Sequence, residues 1–211
     1  MKTIVCFDLD GTLIDSSAGI YASLHHACLA EGVQPPVYED FIPCIGPPLR
    51  DYLPTLLNVS NKKSQAILAS FRTHHDREGF LAYRLYPDTR LVLAQLVERG
   101  HVLYAVTNKP FVISYAALNH FCLLERFLNV YCPDGSMLPS GLDDHKKSTI
   151  LTHLRRSSDP CEIVYVGDTV SDQDAAKRAN VDFICAGYGY GFGFHSEQRI
   201  DSLKGLLSLI R

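Results

Sequence analysis

The sequence predicts an α/β fold: a doubly wound, Rossmann-like parallel-sheet core with a small all-helical cap subdomain inserted after the first strand. Two observations favour this fold class. Short apolar runs rich in β-branched residues alternate with amphipathic helical segments, which is typical of a parallel sheet covered by helices on both faces. Between residues 16 and 82 the alternation stops, and this stretch offers several helical patterns without a convincing strand.

The strands of the core are predicted from short segments in which strand-favouring residues are concentrated. They are Thr3–Phe7, His101–Val106, Asn129–Cys132, Glu162–Val166 and Asp182–Ala186. Proline-free segments with apolar residues spaced near the helical period lie between them. The predicted helices are Asp88–Arg99, Phe111–Phe121, Lys147–Arg156 and Ser171–Ala179, and a final amphipathic helix is expected from Ile200 to Ile210.

The insertion sets the predicted domain organisation. We expect a core formed by residues 1–15 and 83–211 and a helical cap formed by residues 16–82. Prolines should divide the cap into short helices joined by constrained turns, because proline is unfavourable inside a helix. These prolines are Pro35, Pro36, Pro43, Pro47, Pro48 and Pro54.

Composition excludes several classes of protein. The 211 residues are 46% hydrophobic with a formal charge of −3, so the chain can bury a full core and lacks the basic excess expected of a protein that binds a nucleic-acid polymer. The seven cysteines are scattered and never spaced Cys-x-x-Cys, which argues against a disulfide framework or a zinc site. No stretch approaches the roughly 20 apolar residues of a membrane span. We expect a cytoplasmic protein with no membrane partner, whose oligomeric state the sequence leaves open.

Polar residues capable of chemistry follow the predicted strands. In a doubly wound sheet, ligands gather at the carboxyl ends of the strands, where loops and helix N-termini present backbone N–H groups. The first strand is followed by Asp8-Leu9-Asp10-Gly11-Thr12-Leu13, the second by Thr107-Asn108-Lys109, and the fourth by Gly167-Asp168-Thr169-Val170-Ser171-Asp172. Lys146 and Lys147 stand before the helix that precedes the fourth strand.

Taken together and in this order, these segments resemble the haloacid dehalogenase superfamily, whose opening motif is Asp-x-Asp-Gly-Thr followed by an apolar residue. The chain is most similar to the phosphoglycolate phosphatase-like and bacterial 5′-nucleotidase-like branch, which also carries an Ile-Gly-Pro-Pro-Leu segment in its cap, here Ile45–Leu49. The resemblance implies a Mg²⁺-dependent phosphatase that hydrolyses a small phosphorylated metabolite.

The resemblance also implies roles for the acidic residues. Asp8 would be the nucleophile that forms an aspartyl phosphate, and Asp10 the general acid and base. Mg²⁺ would be held by Asp8, by the backbone carbonyl of Asp10 and by Asp168, in an oxygen-only octahedron. Asp172 is expected beside these ligands without contacting the ion, although helix capping is the alternative for an acid at that position. Thr12 would support the loop by hydrogen bonding.

The phosphate group would be bound by residues of other segments. Thr107 and Asn108 are expected to donate hydrogen bonds to its oxygens, and Gly11 allows the backbone to turn sharply beside it. The phosphate-binding lysine is either Lys146 or Lys147. We favour Lys147, also as a catalytic residue, because its spacing to Ile150 fits the lysine motif of the 5′-nucleotidase-like branch.

Three alternatives to a simple phosphatase remain open. A sugar phosphomutase of the β-phosphoglucomutase type shares the catalytic residues. Phosphonoacetaldehyde hydrolase would require a cap lysine, Lys62 or Lys63, in the closed pocket. A non-catalytic phosphate-sensing protein could retain the fold, because fold alone does not fix function.

Other residues that attract attention are better interpreted as structural. The adjacent pairs His25–His26 and His74–His75 do not face one another on a helix and suggest no metal site. The glycine and tyrosine run from Gly187 to Gly193 is expected as a mobile loop beside the site. Arg50 is a candidate for contact with the distal part of the substrate, with a surface position as the alternative.

Overall fold

The computed structural model of the protein describes residues 2–134, 146–157, 161–191 and 196–210. Its main sheet contains β1 (Thr3–Phe7), β4 (Val102–Val106), β5 (Asn129–Tyr131), β6 (Glu162–Gly167), β7 (Asp182–Ala186) and β8 (Arg199–Ile200). The spatial order is β5-β4-β1-β6-β7-β8, and all five strand pairings are parallel. The predicted α/β class with a doubly wound parallel sheet is therefore confirmed.

Helices cover both faces of this sheet. They are α5 (Thr89–Glu98), α6 (Phe111–His120), α7 (Lys147–Ser157), α8 (Val170–Ala179) and α9 (Leu206–Leu209). Successive side chains of a strand point to opposite faces, so Val5 and Phe7 of β1 pack in one apolar cluster with residues of α5, α6 and α9. Ile4 and Cys6 pack in a second cluster with residues of α7 and α8. Because β1 is buried on both faces, its sequence is almost continuously apolar.

The strand order positions the candidate site. β1 lies between β4 and β6, with Phe7 opposite Ala105 on one side and Val166 on the other. Parallel neighbours end at the same edge of a sheet. The loops that follow β4, β1 and β6 therefore meet, although they are distant in the sequence.

The insertion is helical, as predicted. Its helices are α1 (Ser17–Ala30), α2 (Tyr38–Phe41), α3 (Leu49–Leu57) and α4 (Asn61–Glu78), with 3₁₀ turns at Ile42–Cys44 and Gly79–Ala82. They share an apolar cluster of their own, which includes Leu24, Phe41, Leu53 and Ile67. The division into a core and a cap that act as separate units remains a prediction.

A two-stranded antiparallel ribbon that the sequence did not predict joins the insertion to the core. β2 (Ile14–Asp15) pairs with β3 (Arg84–Leu85), so the two connections to the insertion run side by side. Strands of two residues carry no periodic pattern, which explains why they were missed. The predicted boundaries at residues 15 and 83 fall at this ribbon.

Two further expectations were wrong. Ile200 belongs to the edge strand β8, and the tail then forms a 3₁₀ turn at Leu203–Gly205 and the short α9 instead of one helix. Pro54 lies inside α3 and does not end it. Its neighbour Leu53 is fully buried in the core of the insertion, and we attribute the tolerance of Pro54 to this packing. Across the described ranges, no helix is both long and apolar enough to cross a membrane.

Candidate active site

The carboxyl ends of β1, β4 and β6 bring together the residues that the motifs singled out. Asp8 follows β1, and its N–H donates to the carbonyl of Val166 in β6 at 2.9 Å. Thr107 follows β4 and Asp168 follows β6. All three residues are buried, with residue exposures of 5% or less.

Asp8 has one carboxylate oxygen that is paired and one that is not. Oδ2 lies 3.0 Å from Nζ of Lys147. Oδ1 is buried without a hydrogen-bond partner among the described residues. Burial raises the pKa of Asp8 to about 6; Lys147 opposes this shift, while Asp172 and Asp10 add to it. A buried carboxylate oxygen without a donor is available to a cation or to a substrate.

Lys147, and not the exposed Lys146, reaches Asp8. Nζ of Lys147 also donates to Oδ1 of Asp172 at 2.7 Å. Burial alone would lower the pKa of Lys147, but the charges of Asp172 and Asp8 outweigh this effect and raise it. Lys147 is therefore a buried ammonium group held between two carboxylates.

Asp172 caps helix α8 and also contacts Lys147, while its expected place beside a bound ion remains a prediction. Its Oδ2 accepts from the N–H of Thr169 at 3.0 Å, and the hydroxyl of Thr169 accepts from the N–H of Asp172 at 3.3 Å, which forms a capping box at the start of α8. Its Oδ1 accepts from Lys147 and from the hydroxyl of Tyr165, the latter at 3.0 Å. Burial would raise the pKa of Asp172, yet Lys147 and these hydrogen bonds lower it.

Asp168 is fixed by backbone and side-chain contacts. Its Oδ2 accepts from the N–H of Tyr190 at 2.7 Å, and its Oδ1 lies 3.5 Å from the hydroxyl of Thr12, which is fully buried. Burial raises the pKa of Asp168 well above its ordinary value, and the nearby charges of Asp172 and Asp8 raise it further. A carboxyl group in this position favours the arrival of a positive partner.

Gly11 is required beside Asp168 for two reasons. Its φ of +80° lies in the left-handed region that disfavours other residues. A Cβ atom on Gly11 would also lie 2.1 Å from Oδ2 of Asp168. The N–H of Gly11 donates to the carbonyl of Ile14 at 2.9 Å, and the place of Gly11 beside the phosphate remains a prediction.

The acidic cluster fits a divalent cation. Asp8, Asp168 and Asp172 each offer a carboxylate oxygen, and these oxygens lie within 4.8 Å of one another. The carboxylates outnumber the ammonium group of Lys147, and Oδ1 of Asp8 has no donor in the part of the chain that the structure describes. Oxygen donors of this kind suit Mg²⁺, Ca²⁺ or Mn²⁺ better than softer metals. Each oxygen of Asp172 accepts two hydrogen bonds, whereas Oδ1 of Asp168 has, among the residues that the structure describes, only the 3.5 Å contact with Thr12, so Asp8 and Asp168 are the better placed ligands.

Asp10 points to a second buried lysine. Both of its carboxylate oxygens accept from Nζ of Lys109 at 3.0 Å. The same Nζ donates to the hydroxyl of Tyr83 at 2.8 Å. The side chain of Lys109 is 3% exposed, so this ion pair is well shielded from solvent.

A cavity of about 120 Å³ opens between these residues and the insertion. Thr107, Asn108, Asp8 and Asp10 line one end of it. It is also lined by apolar and aromatic residues of the insertion: Ile20, Ile45, Leu49, Tyr52 and Phe71. The hydroxyl of Thr107 accepts from the N–H of Lys109 at 3.2 Å, and the N–H of Thr107 donates to Tyr131, so of its two donors the hydroxyl is the one left for a ligand.

Comparison with known proteins gives a family for this chain: the sequence model of the haloacid dehalogenase-like hydrolase family matches residues 5–186. The chain belongs to this family. It is 32% identical to a 5′-nucleotidase of Pseudomonas aeruginosa, over 92% of this chain and 86% of that protein. It is 27% identical to a phosphoglycolate phosphatase of Agrobacterium fabrum, over 90% and 82%. The solved structure of Mycobacterium tuberculosis Protein Tyrosine Kinase A (PtkA) matches with a TM-score of 0.81 and 25% identity, over 99% of this chain and 98% of that one.

The expected family and the expected enzyme class, a phosphoric monoester hydrolase, are thus confirmed by the family match and by the names of these relatives. In this haloacid dehalogenase-like hydrolase, several residues considered earlier lie away from the cavity. Lys62 is exposed and Lys63 pairs with Glu31 at 3.1 Å, so neither fits a lysine that reacts with substrate. Arg50 is exposed beside Asp51.

The loop after β7 is more closely tied to this hydrolase site than the sequence suggested. Besides its N–H bond to Asp168, Tyr190 accepts from the N–H groups of Ser16 and Ser17 at 2.8 and 3.1 Å through its hydroxyl. The same hydroxyl donates to Asp15 at 2.8 Å. Of the run that begins at Gly187, residues 192 and 193 lie outside the described ranges.

Sequence reasoning assigned no role to Lys109, Tyr83 or Tyr165. Lys109 was visible as part of the segment after β4, but nothing in its spacing indicates a contact with Asp10, 99 positions away. Tyr165 lies within β6 and was interpreted as a strand residue. Such contacts depend on which strands lie next to each other in the sheet, and a sequence motif does not give that information.

Proposed function

We propose that this haloacid dehalogenase-like hydrolase is a Mg²⁺-dependent phosphomonoesterase that hydrolyses a small phosphorylated metabolite through an aspartyl phosphate on Asp8. The observation that carries the proposal is the buried Oδ1 of Asp8, which has no hydrogen-bond partner among residues 2–134, 146–157, 161–191 and 196–210 and lies within a cluster of carboxylates and one lysine. A buried carboxylate oxygen of this kind needs a positive partner. A phosphate ester bound with its cation would supply the positive charge and the phosphorus atom that the oxygen attacks.

The site must first offset the repulsion between the carboxylate of Asp8 and the negatively charged phosphate. A carboxylate about 4 Å from a phosphate oxygen is repelled by roughly 4 kcal/mol per pair of unit charges at an effective dielectric near 20. Lys147 reduces this repulsion from its position 3.0 Å from Asp8. When bound by Asp8, Asp168 and the carbonyl of Asp10, Mg²⁺ would add further positive charge at the phosphate.

The proposed reaction has two steps carried by protein groups. A carboxylate oxygen of Asp8 forms a bond to phosphorus while the bond from phosphorus to the ester oxygen breaks, and Asp10, which enters this step protonated, gives its proton to that oxygen and becomes a carboxylate. Water then attacks the phosphorus of the acyl phosphate, Asp10 takes the proton of that water, and inorganic phosphate leaves with the carboxylate of Asp8 restored. The hydroxyl of Thr107 and the backbone N–H of Asn108 would orient the phosphate oxygens.

The cavity supports a choice between the substrates suggested by the relatives. Ile45, Leu49, Tyr52 and Phe71 face the phosphate end. A nucleoside would pack against these side chains. The carboxylate of phosphoglycolate would lose its hydration beside them, and this loss would not be offset by an ion pair with an unoccupied cation. Among the described lining residues the cation is Lys109, which Asp10 already holds. We therefore favour a nucleoside 5′-monophosphate over phosphoglycolate. This choice requires the insertion to move outward on binding, because a cavity of about 120 Å³ is smaller than the roughly 300 Å³ or more of most small-molecule sites.

Release of phosphate from p-nitrophenyl phosphate tests the proposal. With Mg²⁺ we expect steady turnover that Asp8→Asn lowers more than about 10³-fold, because no nucleophile remains. Asp174→Asn is the matched control, since Asp174 is exposed on α8 and should leave turnover unchanged. Absence of turnover on this ester and on a panel of phosphorylated metabolites would reject the function. A kcat/KM for phosphoglycolate above that for nucleoside monophosphates would reject the substrate choice.

The proposed location is the cytoplasm. All seven cysteines are free thiols, and Cys6, Cys28, Cys132 and Cys185 are buried. Free cysteines suit a reducing compartment.

A further inference from the structure

Lys109 is a buried ammonium group that the proposed reaction does not use. It donates to both oxygens of Asp10 and to the hydroxyl of Tyr83, at 3.0, 3.0 and 2.8 Å. It also lies over the ring of Tyr83, 4.5 Å from the centroid. Burial would lower the pKa of Lys109, but Asp10 and then Tyr83 outweigh burial and raise it, so the lysine stays charged.

The contact continues into the insertion as a chain of hydrogen bonds. The hydroxyl of Tyr83 lies 2.7 Å from Nε2 of His75, and Nδ1 of His75 lies 3.0 Å from the hydroxyl of Ser23. The hydroxyl of Ser23 donates to the carbonyl of Gly19 at 2.8 Å. His75, Tyr83 and Ser23 are all buried.

Donor and acceptor chemistry fixes a direction for this chain. Lys109 can only donate, so the oxygen of Tyr83 accepts and its proton is given to Nε2 of His75. Burial, followed by the charge of Lys109, lowers the pKa of His75 to about 3, so this ring is neutral and carries its proton on Nδ1, facing Ser23. Each group along the chain then has a partner of the right kind.

We propose that Lys109 is a positioning residue that holds the carboxylate of Asp10 toward the leaving group, and that Tyr83 and His75 anchor Lys109 to helices α1 and α4 of the insertion. This inference rests on the proposed function, in which Asp10 is the general acid. Two hydrogen bonds from one Nζ hold the ionised carboxylate. In the protonated acid one oxygen would keep its hydrogen bond to Nζ, and the other would present the proton to the leaving group. The chain of hydrogen bonds reaches both ends of the insertion. Tyr83 directly precedes β3, where the chain returns to the core, and Ser23 lies on α1, the first helix of the insertion.

The test compares two esters that share a ring but differ in leaving group, p-nitrophenyl phosphate and benzyl phosphate. Benzyl alcoholate needs a proton as it leaves, whereas p-nitrophenolate leaves readily without one. The readout is kcat/KM, which reports the steps up to phosphorylation of Asp8 and excludes breakdown of the intermediate. We expect Lys109→Met to lower kcat/KM for benzyl phosphate at least about tenfold more than for p-nitrophenyl phosphate.

Two further variants separate positioning from a loss of folding. Tyr83→Phe retains the ion pair of Lys109 and Asp10 but removes the anchor, so we expect a smaller shift of the ester ratio in the same direction. Lys63→Met removes a partly exposed ion pair of the insertion with Glu31 and should leave the ratio unchanged. If Lys109→Met fails to fold, the shift with Tyr83→Phe decides the outcome, and an unchanged ratio there overturns the proposal.

Asp10→Asn distinguishes failure of this proposal from failure of the proposed function. If Asp10→Asn shifts the ester ratio and Lys109→Met does not, Lys109 has no positioning role while the reaction stands. If Lys109→Met raises KM equally for both esters, the lysine binds phosphate directly and the proposal is wrong. If Asp10→Asn leaves the ratio unchanged, Asp10 is not the general acid, and both the assignment of Asp10 and the role of Lys109 fall.

Discussion

At the scale of single residues, the site is organised by two buried lysines that serve different acids. Lys147 lies between Asp8 and Asp172, at 3.0 and 2.7 Å. Lys109 instead holds Asp10. Removing one partner of a buried ion pair leaves an uncompensated charge, so each acid affects the pocket beyond its own contacts.

Asp172→Asn tests how Lys147 is held. Asparagine keeps the shape of Asp172 but removes the charge that pairs with Lys147, so the ammonium group should lose its orientation toward Asp8. We expect kcat/KM on p-nitrophenyl phosphate to fall about 10–100-fold, as for other residues that support a reacting group. Asp174→Asn, two positions along the same helix, should match the unmodified protein. Equal activities of the two variants would show that Asp172 serves as a helix cap alone.

Several assignments at this scale were accessible from the sequence, and others were not. Asp8, Asp168 and Lys147 meet as their motifs predicted, because motif residues at the ends of neighbouring strands converge in this fold. The position of Gly11 beside the phosphate stays a prediction, and its amide is used within its own turn. Lys109 was present in a motif but its partner was unknown, since no local pattern encodes a contact across two strands.

At the scale of elements, helix α4 carries a group that makes stability depend on pH. His75 is buried, stacks on Phe71 with ring centroids 4.7 Å apart, and has a pKa lowered to about 3. In the unfolded chain, the imidazole of His75 would take up a proton near pH 6.5. The folded state therefore loses stability as the pH falls from 6.5 toward 3, and the full contribution is present above pH 6.5.

His75→Gln should reduce this dependence. Between pH 7 and pH 5 we expect the free energy of unfolding of the unmodified protein to fall about 2 kcal/mol more than that of the variant. Urea denaturation at the two pH values measures the difference. His25→Gln, at an exposed position on α1, should follow the unmodified protein. If the unmodified protein and His75→Gln fall in parallel, His75 is not held neutral in the folded state.

Element boundaries show where sequence patterns are informative. β1 and β7 match their predicted bounds, because continuous apolar runs mark buried central strands. The ribbon of β2 and β3 and the edge strand β8 have two residues each and carry no periodicity. The helices of the insertion were expected, but Pro54 was given too much weight because local propensity yields to packing.

At the scale of the whole molecule, the site depends on contacts from all parts of the chain. Tyr190 joins the cluster of apolar residues in the insertion, and its N–H holds Asp168. Lys109 reaches the insertion through Tyr83. Binding at the acidic cluster should therefore stabilise the entire fold and not one loop.

Mg²⁺ should raise the thermal stability of the protein. A ligand present at 100 times its Kd stabilises the folded state by about 2.7 kcal/mol, which corresponds to a rise in Tm of about 5–10 °C for a chain of this size. EDTA should reverse the rise. Asp168→Asn should abolish it, whereas Asp174→Asn should retain it. An equal rise in Asp168→Asn would place the cation elsewhere.

The central claim is that Asp8 itself becomes phosphorylated, and the most direct measurement is acid quenching of Asp10→Asn during turnover, followed by proteolysis and mass spectrometry. Because Asp10→Asn should slow breakdown of the intermediate, we expect the peptide that contains Asp8 to carry an added phosphoryl group, and Asp8→Asn to carry none. Phosphate release without phosphorylation of this peptide, or a phosphoryl group on another residue, would contradict the account.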